Sequence, residues 1–83
     1  MAKRIDWAAQ ARADLRRVDR DKGLLILKTL ARYIKLGKGD VKPLQDIDPP
    51  VLRLRSQNYR IFFREDAATL EVLRVLDRKE AYR

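Results

Sequence analysis

The spacing of hydrophobic and polar positions changes period halfway along the chain. Ala8, Ala11, Leu15 and Val18 recur at helical intervals, with Arg12, Asp14, Arg16 and Arg17 on the other side. The Asp19-Arg20-Asp21 cluster predicts a break and restart, because aspartate competes for backbone donors and favours caps. A second helix is predicted from about Lys22 to Leu36, its apolar stripe formed by Leu24, Leu27, Leu30, Ala31 and Ile34. Gly37 and Gly39 end it, and Lys35 and Lys38 sit where a helix C-terminus favours cations. The very short connection predicts an antiparallel helical hairpin. Ahead of it, Lys3 to Trp7 reads as a short edge strand, with Asp6 placed to cap the first helix.

Past Gly39 the signals are those of a sheet. Asp40 to Pro50 carries Pro43, Pro49 and Pro50, and reads as a connector, neither helix nor central strand. Val51–Arg55, Tyr59–Glu65 and Thr69–Leu76 follow as three apolar runs, separated by Ser56-Gln57-Asn58 and Asp66-Ala67-Ala68. They predict an antiparallel meander. The expected fold class is therefore α+β, in one domain over residues 1–83. A short N-terminal strand precedes an antiparallel helical hairpin packed on a C-terminal antiparallel β-meander.

Alternation along the strands assigns faces. Leu52 and Leu54, then Tyr59, Ile61 and Phe63, then Leu73 and Val75 form one set, suited to packing under the helices. The other set holds Val51, Arg53 and Arg55, then Arg60, Phe62 and Arg64, then Val72, Arg74, Leu76 and Arg78. It contains six arginines and no acid. Like charges opposite one another weaken strand pairing, so this face is expected to meet an anion. The guanidinium fork suits phosphate.

Composition sharpens that expectation. Twenty Lys and Arg face twelve Asp and Glu, a net charge of +8, which favours a polyanion or an acidic segment as partner. Residues 1–42 carry +7, residues 43–50 carry −2 and residues 51–83 carry +3, so the helices hold most of the excess. Cysteine and histidine are both absent, which removes thiolate chemistry, the usual general base and the commonest metal ligand. No metal or cofactor site is expected. No apolar run approaches the roughly 20 residues of a membrane span, and nothing after Met1 resembles a signal peptide; a cytoplasmic location is the expectation.

The ordered set Pro43-Leu44, Leu52-Arg53-Leu54-Arg55, Asn58-Tyr59-Arg60-Ile61, Leu73-Arg74-Val75 and Arg78-Lys79-Glu80-Ala81-Tyr82-Arg83 resembles the RelE/ParE superfamily of bacterial type II toxins. The N-terminal half fits too, with a strand ending in Trp7 and a first helix containing Asp14-Leu15. The resemblance implies a growth inhibitor paired with a cognate antitoxin. Its RelE branch implies a ribosome-dependent endoribonuclease that cuts mRNA through attack of a ribose 2′-OH on the adjacent phosphate. On that pattern Arg53, Arg60, Arg78 and Tyr82 are the catalytic candidates, and Arg55, Arg64 and Arg74 the further RNA-binding candidates. Fixed guanidinium charge suits stabilisation of a phosphorane, whereas arginine is a poor proton acceptor. Tyr82 either handles the proton, stacks on a base, or simply closes the edge of the core.

Two positions depart from the RelE pattern. Val51 stands where a lysine can occur, and Asp77 where many relatives have histidine. Asp77 or Glu80 is a candidate base, or else pairs with Arg78 or Arg74. The ParE branch implies instead a protein that binds DNA gyrase without catalysis. A third alternative is an inactive homologue that acts as a binding partner.

Overall fold

The computed structural model describes residues 3–81. In chain order the elements are β1 (Arg4–Trp7), α1 (Ala9–Arg16), α2 (Arg20–Leu36), β2 (Val41–Pro43), β3 (Leu52–Ser56), β4 (Tyr59–Glu65), β5 (Thr69–Asp77) and α3 (Arg78–Ala81). The strands form one sheet in the order β1-β5-β4-β3-β2. After β1 the chain passes through the two helices to the far edge of the sheet. Four successive strands then step back until β5 lies parallel to β1. The predicted α+β architecture, with its N-terminal edge strand, helical pair and meander, is the observed one.

One hydrophobic core joins the helices to the inner face of the sheet. Ala11, Ile26 and Leu30 pack with Leu54, Ile61, Phe63, Leu70, Val72 and Val75, all buried. The inward stripe of α2 runs through Ile26, Leu30 and the half-buried Tyr33. Of the expected stripe, Leu24, Leu27 and Ala31 face outward instead. Leucines occupy more than one face of α2, so spacing alone did not orient it. Gly37 ends the helix in the left-handed region at φ 67°, where glycine carries no Cβ penalty. At Gly39 a Cβ would stand 2.8 Å from the end of the Leu54 side chain, so a larger residue there would have to push the buried Leu54 aside.

Three local expectations change. Asp6 does not cap α1; its carboxylate receives Arg4 Nη2 at 3.1 Å, and α1 starts without a side-chain cap. The segment expected to be a plain connector contains β2, an edge strand paired with β3. Pro43 is tolerated there because an edge strand has one unpaired side. The third change matters most. A bulge shifts the register of β5, so that Phe62 faces Arg74 while Phe63 faces Val72, with Leu73 as the extra residue. Val72 and Leu70 are therefore core residues, and the expected parity holds only from Arg74 onward.

Glu65, at the end of β4, ties three segments together. It accepts Lys3 Nζ at 2.7 Å and the Tyr33 hydroxyl at 2.5 Å. Burial, and then the adjacent Glu65 carboxylate, push the Tyr33 phenol up to about 12.

Candidate nucleic-acid interface

The register arranges the outer face of the sheet in rows. Lys42, Arg53, Phe62 and Arg74 cross it from β2 to β5. Arg55, Arg60 and Leu76 make the next row, toward the β3–β4 turn. On the other side of the bulge lie Arg64, Glu71 and Asp6, in register on β4, β5 and β1. The expected face of six arginines without an acid is therefore corrected. By inverting the parity of the first half of β5, the bulge turns Glu71 outward beside Arg64.

The candidate residues divide by surroundings. Arg55 and Arg78 are exposed, and Arg53 is half-buried between Lys42 and Phe62 in the ladder. Arg60 is only 4% exposed. Its Nη1 donates to the Gln57 and Tyr59 carbonyls at 2.9 and 3.1 Å, while the Arg78 backbone N–H donates to the Asn58 carbonyl at 2.6 Å. The three consecutive carbonyls of the β3–β4 turn are thus held by two of the arginines named from the sequence. Arg60 shapes the site at least as much as it faces a ligand. Arg64 lies four residues along β4 from Arg60, about 13 Å at the usual strand rise, and opposite Glu71. Tyr82 lies outside the described residues.

Arg74 has a different setting. Its Nε and Nη2 donate to the two oxygens of Asp14 at 2.8 and 3.1 Å, a two-point fork. Asp14 also accepts the Val75 N–H at 3.0 Å and Arg17 Nη2 at 3.0 Å. Burial alone would raise this carboxyl. The hydrogen bonds from Arg74 and Val75, the Arg74 charge and the Arg17 bond outweigh it and hold Asp14 below the ordinary carboxylate range. Asp14 in turn raises the Arg74 guanidinium. The sequence pattern set Asp14 on the polar side of α1, yet it is 2% exposed. The missed signal is its spacing: Ala11, Asp14 and Val18 form an i, i+3, i+7 series on the inward side.

Lys42 is the surface residue that sequence reasoning missed. It is exposed and in register with Arg53. The alternation Val41-Lys42-Pro43 carries the signal, hidden by the proline. Asp77, a candidate base, accepts the Glu80 N–H at 2.9 Å through Oδ1 and so caps α3. Val51 is buried. Among the described residues, no group of three or more Asp or Glu is placed to hold a metal ion, and no helix is long and apolar enough to cross a membrane. The arrangement supplies fixed positive charge, two exposed arginines, and an aromatic ring between Arg53 and Arg74. These are the elements that hold a phosphodiester and an unstacked base.

Among the solved structures with the same fold are toxin–antitoxin complexes. The chain aligns with RelE of the RelB–RelE antitoxin–toxin complex from Methanococcus jannaschii at 26% identity and TM-score 0.76, covering 93% of this chain and 94% of that one. The archaeal RelE–RelB complex from Pyrococcus horikoshii OT3 gives TM-score 0.76 at 18% identity, over 94% and 97% of the two chains. The RelBE2 complex from Mycobacterium tuberculosis gives 0.68 at 24% identity, over 94% and 100%. A comparison with curated protein sequences finds no match. The family model for the ParE toxin of type II toxin–antitoxin systems matches residues 5–82. The chain belongs to the ParE toxin family of type II toxin–antitoxin systems, within the RelE/ParE superfamily.

Proposed function

We propose that this toxin acts on RNA: its outer sheet face holds mRNA on the ribosome and promotes cleavage by 2′-OH attack on the adjacent phosphate. The observation that carries this reading is the run of cations over two adjacent rows of the outer face, where the register sets Lys42 against Arg53 and Arg55 against Arg60, with Arg78 tied to the β3–β4 turn through its N–H. A site this rich in fixed cations stabilises the charge that develops on a phosphorane, commonly worth about 3 kcal/mol for a well-placed donor. In this reading Arg53 and Arg78 contact the phosphate and Arg60 holds the turn that presents them. Tyr82 is the group proposed to handle the proton.

The match to the ParE toxin model favours a second reading, a non-enzymatic inhibitor that binds DNA gyrase. In either case a cognate antitoxin is the expected partner. A cleft of about 420 Å³ lined by Trp7, Arg12, Leu15, Arg16 and Leu27 runs between β1 and the helices. Leu24 beside it is 48% exposed. An amphipathic antitoxin segment with acidic residues on its rim fits that cleft.

Inducing the toxin without antitoxin, then mapping mRNA 5′ ends and assaying gyrase supercoiling in parallel, separates the two readings. Codon-phased cuts in translated messages support the ribonuclease. Intact messages with inhibited gyrase overturn it.

A further inference from the structure

A second group of cations lies round the corner from the outer face. The start of α2, the β3–β4 turn and α3 enclose a cleft of about 380 Å³ lined by Lys22, Asn58, Tyr59, Asp77, Arg78 and Lys79. Three of the six are cations, brought together from the start of α2 and from α3. One carboxylate opposes them, and its Oδ1 is already occupied by the Glu80 N–H. The volume lies in the range that takes a small ligand such as a nucleotide. Asn58 adds an amide that can donate and accept, and Tyr59 an aromatic ring and a hydroxyl.

The walls are held in place before any ligand arrives. Arg78 N–H to Asn58 carbonyl fastens α3 to the turn, and Arg60 grips the Gln57 and Tyr59 carbonyls of the same turn. Arg78 stands between the two surfaces. It follows β5 directly beyond Leu76 of the outer face, and it also lines the cleft.

We propose that this cleft is a second phosphate subsite for single-stranded RNA, in which Lys22 and Lys79 take the backbone of a nucleotide flanking the one on the outer face. This rests on the RNA reading above and names two contact residues outside the sheet. Lysine is a compact point charge without the planar fork of arginine. The subsite therefore adds affinity and salt dependence and leaves base preference unchanged.

The test is fluorescence anisotropy of the full-length protein with a dinucleotide and with a longer single-stranded oligoribonucleotide, over a range of KCl. Lys22→Ala/Lys79→Ala is compared with Lys28→Ala/Lys35→Ala, which removes the same charge from exposed positions of α2 outside the cleft. All four lysines are exposed, so both variants are expected to fold. For the longer oligonucleotide, the cleft variant should lower the slope of log K against log salt by about 1.4, from two contacts at about 0.7 each. Dinucleotide binding should change little. Equal losses in the two double variants, or no loss in the cleft variant, overturn the subsite while leaving the outer-face reading intact. If the wild-type protein binds neither oligonucleotide, the subsite falls, and the outer-face reading is decided by the mapping of mRNA 5′ ends.

Discussion

The two ends of the outer sheet face use arginine differently. On the β1–β5 side each cation sits by a carboxylate. Arg74 is forked onto Asp14, Arg4 reaches Asp6, and Arg64 stands opposite Glu71. Around the β3–β4 turn, Lys42 faces Arg53 and Arg55 faces Arg60. The first arrangement pairs its charges, and the Arg74–Asp14 fork also fastens α1 to β5. The second sets cations opposite one another across β2, β3 and β4, and it is the part of the face that the RNA reading proposed above assigns to the phosphate. Residue type alone does not separate the roles, because arginine serves both.

The largest effect expected is on the fastening side. Asp14→Ala removes a buried carboxylate that accepts four hydrogen bonds, and strands the Val75 N–H. It should cost about 3 kcal/mol in urea unfolding. Lys42→Ala and Arg55→Ala, both at exposed positions, should each change stability by less than about 0.5 kcal/mol. If Asp14→Ala proves as mild as these two, the contrast fails.

Stability against pH sharpens the same contrast. The Asp14 carboxyl is depressed in the folded state, so its contribution is present above its unfolded value, about 3.9, and is lost as pH falls through the lower folded value. Asp14→Asn should flatten that acid limb. At the alkaline end the sign is opposite. Tyr33 is raised to about 12, so its contribution is complete below about 10, its unfolded value, and is lost as pH rises through about 12. Tyr33→Phe should remove this alkaline loss.

Ligand binding should show the reverse ranking. Arg55→Ala should lower the salt slope for single-stranded RNA by about 0.7, whereas Arg64→Ala, opposite Glu71, should lower it less. The smallest effect expected is on the turn that presents the cations. Gln57 takes φ 53°, a conformation suited to glycine at the first central position of a two-residue hairpin turn. Gln57→Gly should raise the unfolding midpoint by the equivalent of about 0.5 kcal/mol.

Much of this molecule was legible before the structure. The period change at Gly39, the break at Asp19-Arg20-Asp21, the stop at Gly37, and the alternation in β3 and β4 gave the architecture and the Arg53/Arg60 positions. What stayed hidden depends on events between elements. The bulge at Leu73 has no local marker, and it alone moved Val72 inward and Glu71 outward. Asp14 reads as a surface residue until Arg74 and the Val75 N–H are brought to it from β5. Lys42 joins the face only because β2 pairs with β3, a partnership that Pro43 masks. Tyr59-Arg60 reads as part of a reactive motif, yet the fold also uses Arg60 to clasp the turn.

The most direct test of the central claim is codon-phased mapping of mRNA 5′ ends after antitoxin-free induction, run on matched variants. Arg55→Ala/Arg78→Ala should abolish or strongly reduce the cuts, and Arg64→Ala should retain most of them. Wild-type levels of cutting in the first variant, or no cutting by the wild-type protein, would contradict the assignment of RNA chemistry to the cationic end of the sheet.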